Sequence, residues 1–206
     1  MKSKFERINR LPPYIFGEIN SLKMKLRSEG RDIIDFGMGN PDMPTPLHIR
    51  QKLKEVIDKP GVGRYSVSKG INGLRKAQAK YYKKRFNVDL NPSSEIIVTI
   101  GSKEGLANLA QAITSRGDRI LCPDPSYPVH PYGFMIAGAK LTPLQTFFNG
   151  QFDKNKFLLN IVNNLKKYSS IKVIIVSFPS NPTDQIVDLY FYKELLKIAK
   201  IYQVYI

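Results

Sequence analysis

Short apolar segments alternate with amphipathic helical patterns along most of the sequence. A run of consecutive apolar residues is typical of a strand buried on both faces of a parallel sheet. The intervening stretches repeat their apolar residues every three or four positions, as helices that cover such a sheet do. We therefore expect an α/β fold with three layers and parallel strands. Strands are predicted at 33–36, 96–100, 119–122, 140–144 and 172–178, and helices at 14–29, 71–86, 130–137, 154–168 and 189–202, with two more starting near 46 and 101.

The dipeptide Thr45-Pro46 predicts the start of one of these helices. Threonine is favoured as an N-cap, and proline is favoured at the first helical position. Ile49, Leu53 and Val56 follow at helical spacing, so we expect them to form the buried stripe of that helix.

The last residues add a new apolar segment, Val204-Tyr205-Ile206, directly after a predicted helix. This segment predicts the first half of another buried strand. We therefore expect the sequence to stop inside its sheet.

Composition excludes several classes of protein. Hydrophobic residues make up 42% of the sequence, and the longest uncharged apolar run, 173–178, is far shorter than the ~20 residues that span a bilayer. The first residues lack the apolar segment of a secretory signal, and the single cysteine, Cys122, has no partner for an internal disulfide. We expect a cytoplasmic protein without a membrane partner.

The net charge of +15, from 32 Lys and Arg against 17 Asp and Glu, makes nucleic-acid binding an alternative. The basic residues are spread along the whole chain, and no run exceeds a pair such as Lys83-Lys84. Solvated helix faces explain this distribution as well. We expect no specific nucleic-acid partner.

A glycine turn joins the predicted strand 96–100 to the helix that follows it. The turn contains Gly101-Ser102-Lys103-Glu104-Gly105, so the backbone N–H groups and hydroxyl at the helix start could hold a phosphate. Glycines also occur in strand-to-helix turns that bind nothing. The spacing matches neither a dinucleotide-binding loop nor a Walker loop.

Three more turns combine glycine or proline with polar groups. Gly37–Asp42 frees its backbone for a close approach to a carboxylate, and Tyr127 follows a predicted strand at the edge where α/β sheets bind ligands. Asn181 lies between two prolines after another strand and could donate to a ligand oxygen. Taken singly, each is explained equally well by an ordinary turn or by packing.

Together the four turns resemble, in order and spacing, the fold type I pyridoxal-phosphate-dependent aminotransferases of class I/II, from about Arg10 onward. The resemblance is greatest to the alanine-forming, glutamate-pyruvate type. It rests on Leu11-Pro12-Pro13-Tyr14, Ile34-Asp35-Phe36-Gly37-Met38-Gly39-Asn40-Pro41-Asp42, Val98-Thr99-Ile100-Gly101-Ser102-Lys103-Glu104-Gly105-Leu106 and Asp124-Pro125-Ser126-Tyr127-Pro128-Val129-His130.

The resemblance implies pyridoxal 5'-phosphate as the cofactor and assigns four residues to it. Ser102 and Lys103 match the positions that hold its phosphate, and Tyr127 matches the ring that stacks on its pyridine. Asn181 matches the residue that bonds its phenolic oxygen. We expect these side chains to face one cavity, and no metal ligand is predicted.

Two further positions concern the substrate and the partner subunit. Gly39 matches the glycine whose backbone meets the substrate carboxylate. Tyr65 matches the tyrosine that reaches the cofactor phosphate of the neighbouring subunit, which implies a homodimer. Asp184 departs from the pattern, because many relatives have glycine there.

The resemblance also implies an incomplete enzyme. The Asp that pairs with the pyridine nitrogen, the Schiff-base Lys and the Arg that binds the substrate carboxylate all follow the strand that begins here at Val204. We therefore expect a truncated aminotransferase, with 1–45 as the N-terminal arm and part of the small domain and 46–206 as an incomplete large domain. We expect no activity from this chain alone. A pseudogene product, a split enzyme subunit and an incomplete sequence are equally compatible, and a non-catalytic interaction protein is the second alternative.

Overall fold

The computed structural model describes residues 5–37, 39 and 41–206, without the side chain of Glu6. The chain divides into two units, of which one combines residues 1–12 with 99–206 and the other spans 13–98. The predicted division at 45/46, which concerns the domains of the intact family, stays a prediction.

The first unit contains a three-stranded parallel sheet. Its strands are β1 (Arg119–Asp124), β2 (Lys140–Gln145) and β5 (Ile171–Ile174), in the order β2-β1-β5. A separate antiparallel pair consists of β3 (Phe147–Phe148) and β4 (Gln151–Phe152). The predicted α/β class with parallel strands is confirmed, although β5 is shorter than the predicted 172–178.

Helices cover both faces of this sheet. They are α5 (Gly101–Ile113), α6 (Val129–Ala137), α7 (Lys154–Lys167) and α8 (Leu189–Tyr202), and the short α1 (Glu6–Asn9) contacts α6. The side chains of β1 alternate between the two faces, as the pleat of a strand requires. Leu121 packs with buried residues of α7 and α8, whereas Ile120 and Cys122 pack with those of α5 and α6. The three-layer arrangement is therefore confirmed in this unit.

The apolar segment after α8 joins the sheet, as predicted. Tyr205 forms a parallel bridge with Val173 of β5. Its N–H donates to the Lys172 carbonyl at 2.9 Å, and its carbonyl accepts from the Ile174 N–H at 2.8 Å. A fourth strand position therefore begins beside β5.

The second unit contains three helices, α2 (Ile15–Ser28), α3 (Leu47–Ile57) and α4 (Asn72–Phe86). None of its described residues is buried. The predicted buried stripe of α3 is therefore wrong: Leu53 is 65% exposed, and Ile49 and Val56 also face solvent. The predicted threonine cap is wrong as well, because Pro46 is the N-cap and no side chain caps this helix.

Two predicted strands do not form. Residues 33–36 are irregular, with Phe36 94% exposed, and 96–100 is likewise outside any strand. The Val98 N–H donates to the Lys69 carbonyl at 3.1 Å, and the Ile100 N–H donates to the Glu104 carboxylate. An apolar segment becomes a strand only when a neighbouring edge supplies its hydrogen bonds. Neither segment has such an edge in the described part of the chain.

Candidate cofactor site

Two polar loops leave neighbouring strands at the same edge of the sheet. The loop with Ser126 and Tyr127 follows β1, and the loop with Ser180 and Asn181 follows β5. Because β1 and β5 are adjacent and parallel, their carboxyl ends lie side by side. This topology brings together two regions that lie far apart in the sequence.

A small cavity separates these loops. Its volume is about 10 Å³, which is room for one water molecule, so a larger ligand has to lie over its mouth. Its lining is rich in hydroxyl and other polar groups from both loops, and Phe157 and Phe178 supply aromatic surface. The remaining lining residues are Pro123, Pro125, Ser126, His130, Thr146, Ser177, Ser180, Asn181 and Thr183.

Tyr127 connects the cavity to the start of α5. Its ring centroid lies 5.7 Å from that of His130, in an edge-on arrangement, and His130 lines the cavity. The Lys103 ammonium lies 5.8 Å from the centroid of the same Tyr127 ring. Both distances are in the range of favourable aromatic and cation–π contacts. Asn181 and His130 therefore line the cavity, Tyr127 lies against His130 without lining it, and Lys103 contacts the Tyr127 ring.

Ser102 lies in the first turn of α5 and is exposed. This helix has no side-chain N-cap, and Glu104 accepts the Ile100 N–H instead. A first turn without a cap leaves its N–H groups for an external acceptor, and the helix dipole favours an anion there. Whether Ser102, Tyr127 and Asn181 all face one cavity stays a prediction.

His130 is a site residue to which sequence reasoning assigned no role. Burial lowers the pKa of its imidazole, so the ring is neutral at physiological pH. A neutral imidazole can donate from one nitrogen and accept at the other. His130 is the last residue of the Asp124–His130 motif, but the motif alone does not show that the imidazole packs against the Tyr127 ring.

The Asn181 loop is held by its own hydrogen bonds. Two backbone hydrogen bonds close it: the Ser180 N–H donates to the Gln185 carbonyl at 2.9 Å, and the Ser180 carbonyl accepts from the Asp184 N–H at 2.8 Å. Its hydroxyl also lies 2.6 Å from that of Thr183. Asp184 has a φ of 54°, in the left-handed region that favours glycine. Glycine adopts this conformation at little cost, whereas aspartate is strained in it, so the departure from glycine at position 184 strains the turn.

Cys122 lies beneath the Tyr127 loop. Its Sγ is 3.3 Å from the Ser126 hydroxyl, and burial raises the pKa of the thiol to about 11. The sulfur therefore stays protonated at neutral pH, and it acts as a packing group rather than a nucleophile.

Gly39 and Tyr65 belong to the second unit, and both are exposed. A Cβ added to Gly39 would meet no atom within 4 Å. The turn before it is held by Asp35, whose carboxylate accepts the Gly37 N–H at 2.9 Å and pairs with Lys23 at 2.8 Å. The Lys23 hydrogen bond, with that of Gly37, lowers the pKa of Asp35. Met38 and Asn40 of this motif lie outside the described residues.

The sequence matches a family model for "Aminotransferase class I and II" over residues 31–206. The chain belongs to this family, which depends on pyridoxal phosphate. It is 47% identical over 199 residues to "Putative aminotransferase AatC" of Rhizobium meliloti, covering 96% of this chain and 48% of the relative. It is 46% identical over 206 residues to "Glutamate-pyruvate aminotransferase AlaC" of Escherichia coli, covering 98% of this chain and 48% of the relative. The resemblance inferred from the motifs is confirmed.

More distant relatives carry other names. An "LL-diaminopimelate aminotransferase" of Aquifex aeolicus is 40% identical over 202 residues, covering 98% of this chain and 51% of the relative. The chain thus spans about half the length of the curated relatives it matches.

Solved structures agree with this assignment. An aspartate aminotransferase of Thermus thermophilus has a TM-score of 0.86 at 25% identity, covering 100% of this chain and 52% of that structure. Substrate-bound BacF of Bacillus subtilis has a TM-score of 0.82 at 29% identity, covering 99% and 51%. The fold is that of the fold type I aminotransferases. Across the described ranges, each helix is too short or too polar to cross a membrane.

Proposed function

We propose that this chain supplies the phosphate- and ring-binding part of an aminotransferase that moves an amino group between an amino acid and a 2-oxo acid. One observation carries the proposal: Lys103 and Tyr127, which motif matching placed at the cofactor, are in contact at the carboxyl edge of the sheet. A cation beside an aromatic ring suits a phosphorylated aromatic cofactor.

The residues present fit pyridoxal phosphate. The uncapped first turn of α5, the Ser102 hydroxyl and the Lys103 ammonium offer donors for a phosphate. Tyr127 offers an aromatic face, and Asn181 offers an amide donor at the neighbouring loop. When bound, this cofactor acts as an electron sink for the bonds at the substrate α-carbon. Neutral His130, in contact with Tyr127, positions the ring by packing.

Gly39 and Tyr65, which belong to the second unit, are proposed to contact the substrate and the partner subunit rather than the cavity of the first unit. The open space around Gly39 suits backbone contact with a substrate carboxylate, and exposed Tyr65 suits contact with a second subunit. The relevant assembly is then a homodimer. Glutamate and pyruvate are the proposed substrate pair, because the AlaC relative is named for them and is 46% identical.

The 206-residue segment alone is proposed to be inactive. Covalent catalysis needs a lysine that anchors the cofactor and takes up a proton. By family resemblance that lysine follows the strand position of Tyr205, in the half of the relatives that this sequence does not span. We propose that a complementary half supplies it, on a longer form of this chain or on a second polypeptide.

The second candidate function is that of a non-catalytic interaction subunit. It is favoured by the second unit, whose described residues include no buried side chain. Its exposed side chains include large apolar ones such as Ile49 and Leu53. Contiguous exposed apolar surface is typical of a surface that a partner covers. A split enzyme subunit would share this property and would become active only with its partner.

The test uses pyridoxamine 5'-phosphate, which has no aldehyde to react with surface lysines. Equilibrium dialysis of the 206-residue chain should show binding that unphosphorylated pyridoxamine lacks. Lys103→Gln should weaken binding about fivefold, because its charge is partly screened by solvent. The control Lys166→Gln, an exposed lysine on α7, should leave binding unchanged.

Alanine formation from glutamate and pyruvate should stay at the level of a no-protein control. Equal binding of both compounds, or equal weakening by both lysine variants, would contradict the proposed cofactor site. Turnover by the isolated chain would contradict its proposed inactivity.

A further inference from the structure

Side-chain hydrogen bonds add to the two backbone bonds that close the Asn181 loop. The Gln185 N–H donates to the Ser180 hydroxyl at 2.9 Å, and the Ser180 hydroxyl lies 2.6 Å from that of Thr183. The side-chain amide of Gln185 donates to the Thr183 carbonyl at 2.7 Å. Gln185 therefore takes part in the network with both its backbone and its side chain.

Asn181 lies within the loop and takes no part in this network. Across residues 5–37, 39 and 41–206, its side-chain amide has no hydrogen-bond partner, although the residue lines the cavity and is exposed. The residues on either side of it are thus fixed, while its own amide is available to an external acceptor. A donor that is already held in place loses little conformational freedom on binding.

Gln185 supports the loop without reaching the cavity. Ser180, Asn181 and Thr183 line the cavity, whereas half-buried Gln185 is not part of the lining that the described residues form. A carbonyl oxygen can only accept, so the amide nitrogen of Gln185 is the atom that faces Thr183. An effect of this side chain on a bound ligand therefore has to pass through its neighbours in the loop.

The bond from Gln185 to Thr183 also spans Asp184. The φ of Asp184 is 54°, and a non-glycine residue keeps such a conformation only where the surrounding contacts hold it. The Gln185 amide fixes the carbonyl on one side of Asp184, and the Ser180 hydroxyl fixes the N–H on the other. The side chain of Gln185 thus stabilises the turn that follows Asn181.

We propose that Gln185 is a positioning residue, which keeps the Asn181 amide in place for the phenolic oxygen of pyridoxal phosphate. The inference rests on the proposed function, which assigns Asn181 to that oxygen. Gln185 contacts neither the cofactor nor the reacting atoms, and it acts through Thr183 and Ser180. A binding group is held precisely when the residues behind it are themselves hydrogen-bonded.

The test compares two probes, pyridoxamine 5'-phosphate and 3-deoxypyridoxamine 5'-phosphate, which lacks the phenolic oxygen. Equilibrium dialysis of the 206-residue chain should show that the first probe binds about five- to tenfold more tightly, as expected for one hydrogen bond. Asn181→Ala should abolish this preference, because it removes the donor. The ratio of the two affinities reports on the Asn181 contact alone, since the phosphate and the ring are common to both probes.

Variants at position 185 then test the positioning role. Gln185→Met keeps the length of the side chain but has no donor, and it should reduce the preference to about twofold. Gln185→Glu keeps the size and sets an acceptor against the Thr183 carbonyl, so it should reduce the preference at least as much. The control Gln111→Met should leave the preference unchanged, although Gln111 also donates to a backbone carbonyl, that of Ala107 at 3.4 Å on α5.

A double variant separates positioning from a general structural role. Gln185→Met should not weaken the binding of either probe further in an Asn181→Ala background, because no amide remains to be positioned. A general structural role would instead weaken both probes, with or without Asn181. Thermal unfolding by circular dichroism should give each variant at position 185 a midpoint close to that of the wild type.

The outcomes distinguish this proposal from the proposed function. A preference that Asn181→Ala abolishes and Gln185→Met leaves intact would overturn the positioning role alone. Equal weakening of both probes by Gln185→Met, or failure of that variant to fold, would assign Gln185 a general structural role and overturn it as well. No preference in the wild-type chain would contradict the Asn181 contact itself, and with it the cofactor site on which the inference rests.

Discussion

The Lys103 ammonium lies 5.8 Å from the centre of the Tyr127 ring, although 24 positions (127 − 103) separate them in the sequence. Lys103 belongs to the first turn of α5, and Tyr127 follows β1. The contact places a cation and an aromatic face at one edge of the sheet, next to His130.

This contact makes Tyr127 a test of the ring-binding role. Tyr127→Leu should weaken pyridoxamine 5'-phosphate binding about three- to tenfold, because an aliphatic side chain keeps the bulk and loses the aromatic face. Tyr127→Phe should retain most of the affinity, and equilibrium dialysis measures both. Equal losses in the two variants would assign the effect to the hydroxyl instead.

Asp184 provides a test of backbone strain. Its φ of 54° costs a non-glycine residue free energy, so Asp184→Gly should raise the free energy of unfolding by up to about 1 kcal/mol. Asp184→Val should lower it, because a β-branched residue resists this conformation most. Urea denaturation followed by circular dichroism measures the change. A stabilising Asp184→Val would refute this explanation.

Asp188 links stability to pH. Its carboxylate pairs with Lys154 and accepts the Phe191 N–H at the start of α8, and these contacts, with Lys154 first, lower its pKa from 3.8. A lowered pKa in the folded state contributes stability above the unfolded value and loses it as the pH falls through the folded value. Asp188→Ala should therefore lower the unfolding midpoint at neutral pH and reduce its fall in acid.

Asp188→Asn separates the two contributions, since asparagine can still cap the helix but carries no charge. It should unfold at a midpoint between those of the wild type and Asp188→Ala, with a reduced acid dependence. Thermal melts at about pH 7 and pH 3 provide the comparison. An acid dependence in Asp188→Asn as steep as in the wild type would show that other carboxylates cause it.

Cys122 should be unreactive in the folded chain. Burial raises its pKa to about 11, so little thiolate exists near pH 8. A disulfide reagent such as Ellman's reagent should label it slowly under native conditions and rapidly in urea. Rapid native labelling would mean that the core around β1 opens readily.

The exposed apolar side chains of the second unit should make the isolated chain prone to aggregation. Leu53 is 65% exposed and Ile49 is 50% exposed, both on α3. The double variant Ile49→Glu/Leu53→Glu should reduce light scattering without lowering the unfolding midpoint, because neither side chain is buried. The control Phe157→Glu should do the opposite, since Phe157 is fully buried. A monodisperse wild-type chain at high concentration would contradict this prediction.

Local patterns were sufficient for the helices and for the strands whose neighbours are present. The periodicity of 154–168 and 189–202 predicted α7 and α8 closely, because a helix makes its hydrogen bonds within itself. The apolar runs of β1 and β2 also became strands, since each had a partner. The family could likewise be inferred from the sequence, because its turn motifs are local and keep their order.

The remaining features depend on contacts between distant residues. The segment 33–36 has strand composition but remains irregular and exposed, because a strand needs the edge of another strand for its hydrogen bonds. The side chains of α3 have a core-facing pattern and yet are exposed, because burial requires a second surface. The contact of Lys103 with Tyr127 could be expected only through the family resemblance, because the spacing of two residues in a sequence does not show how their helix and loop pack.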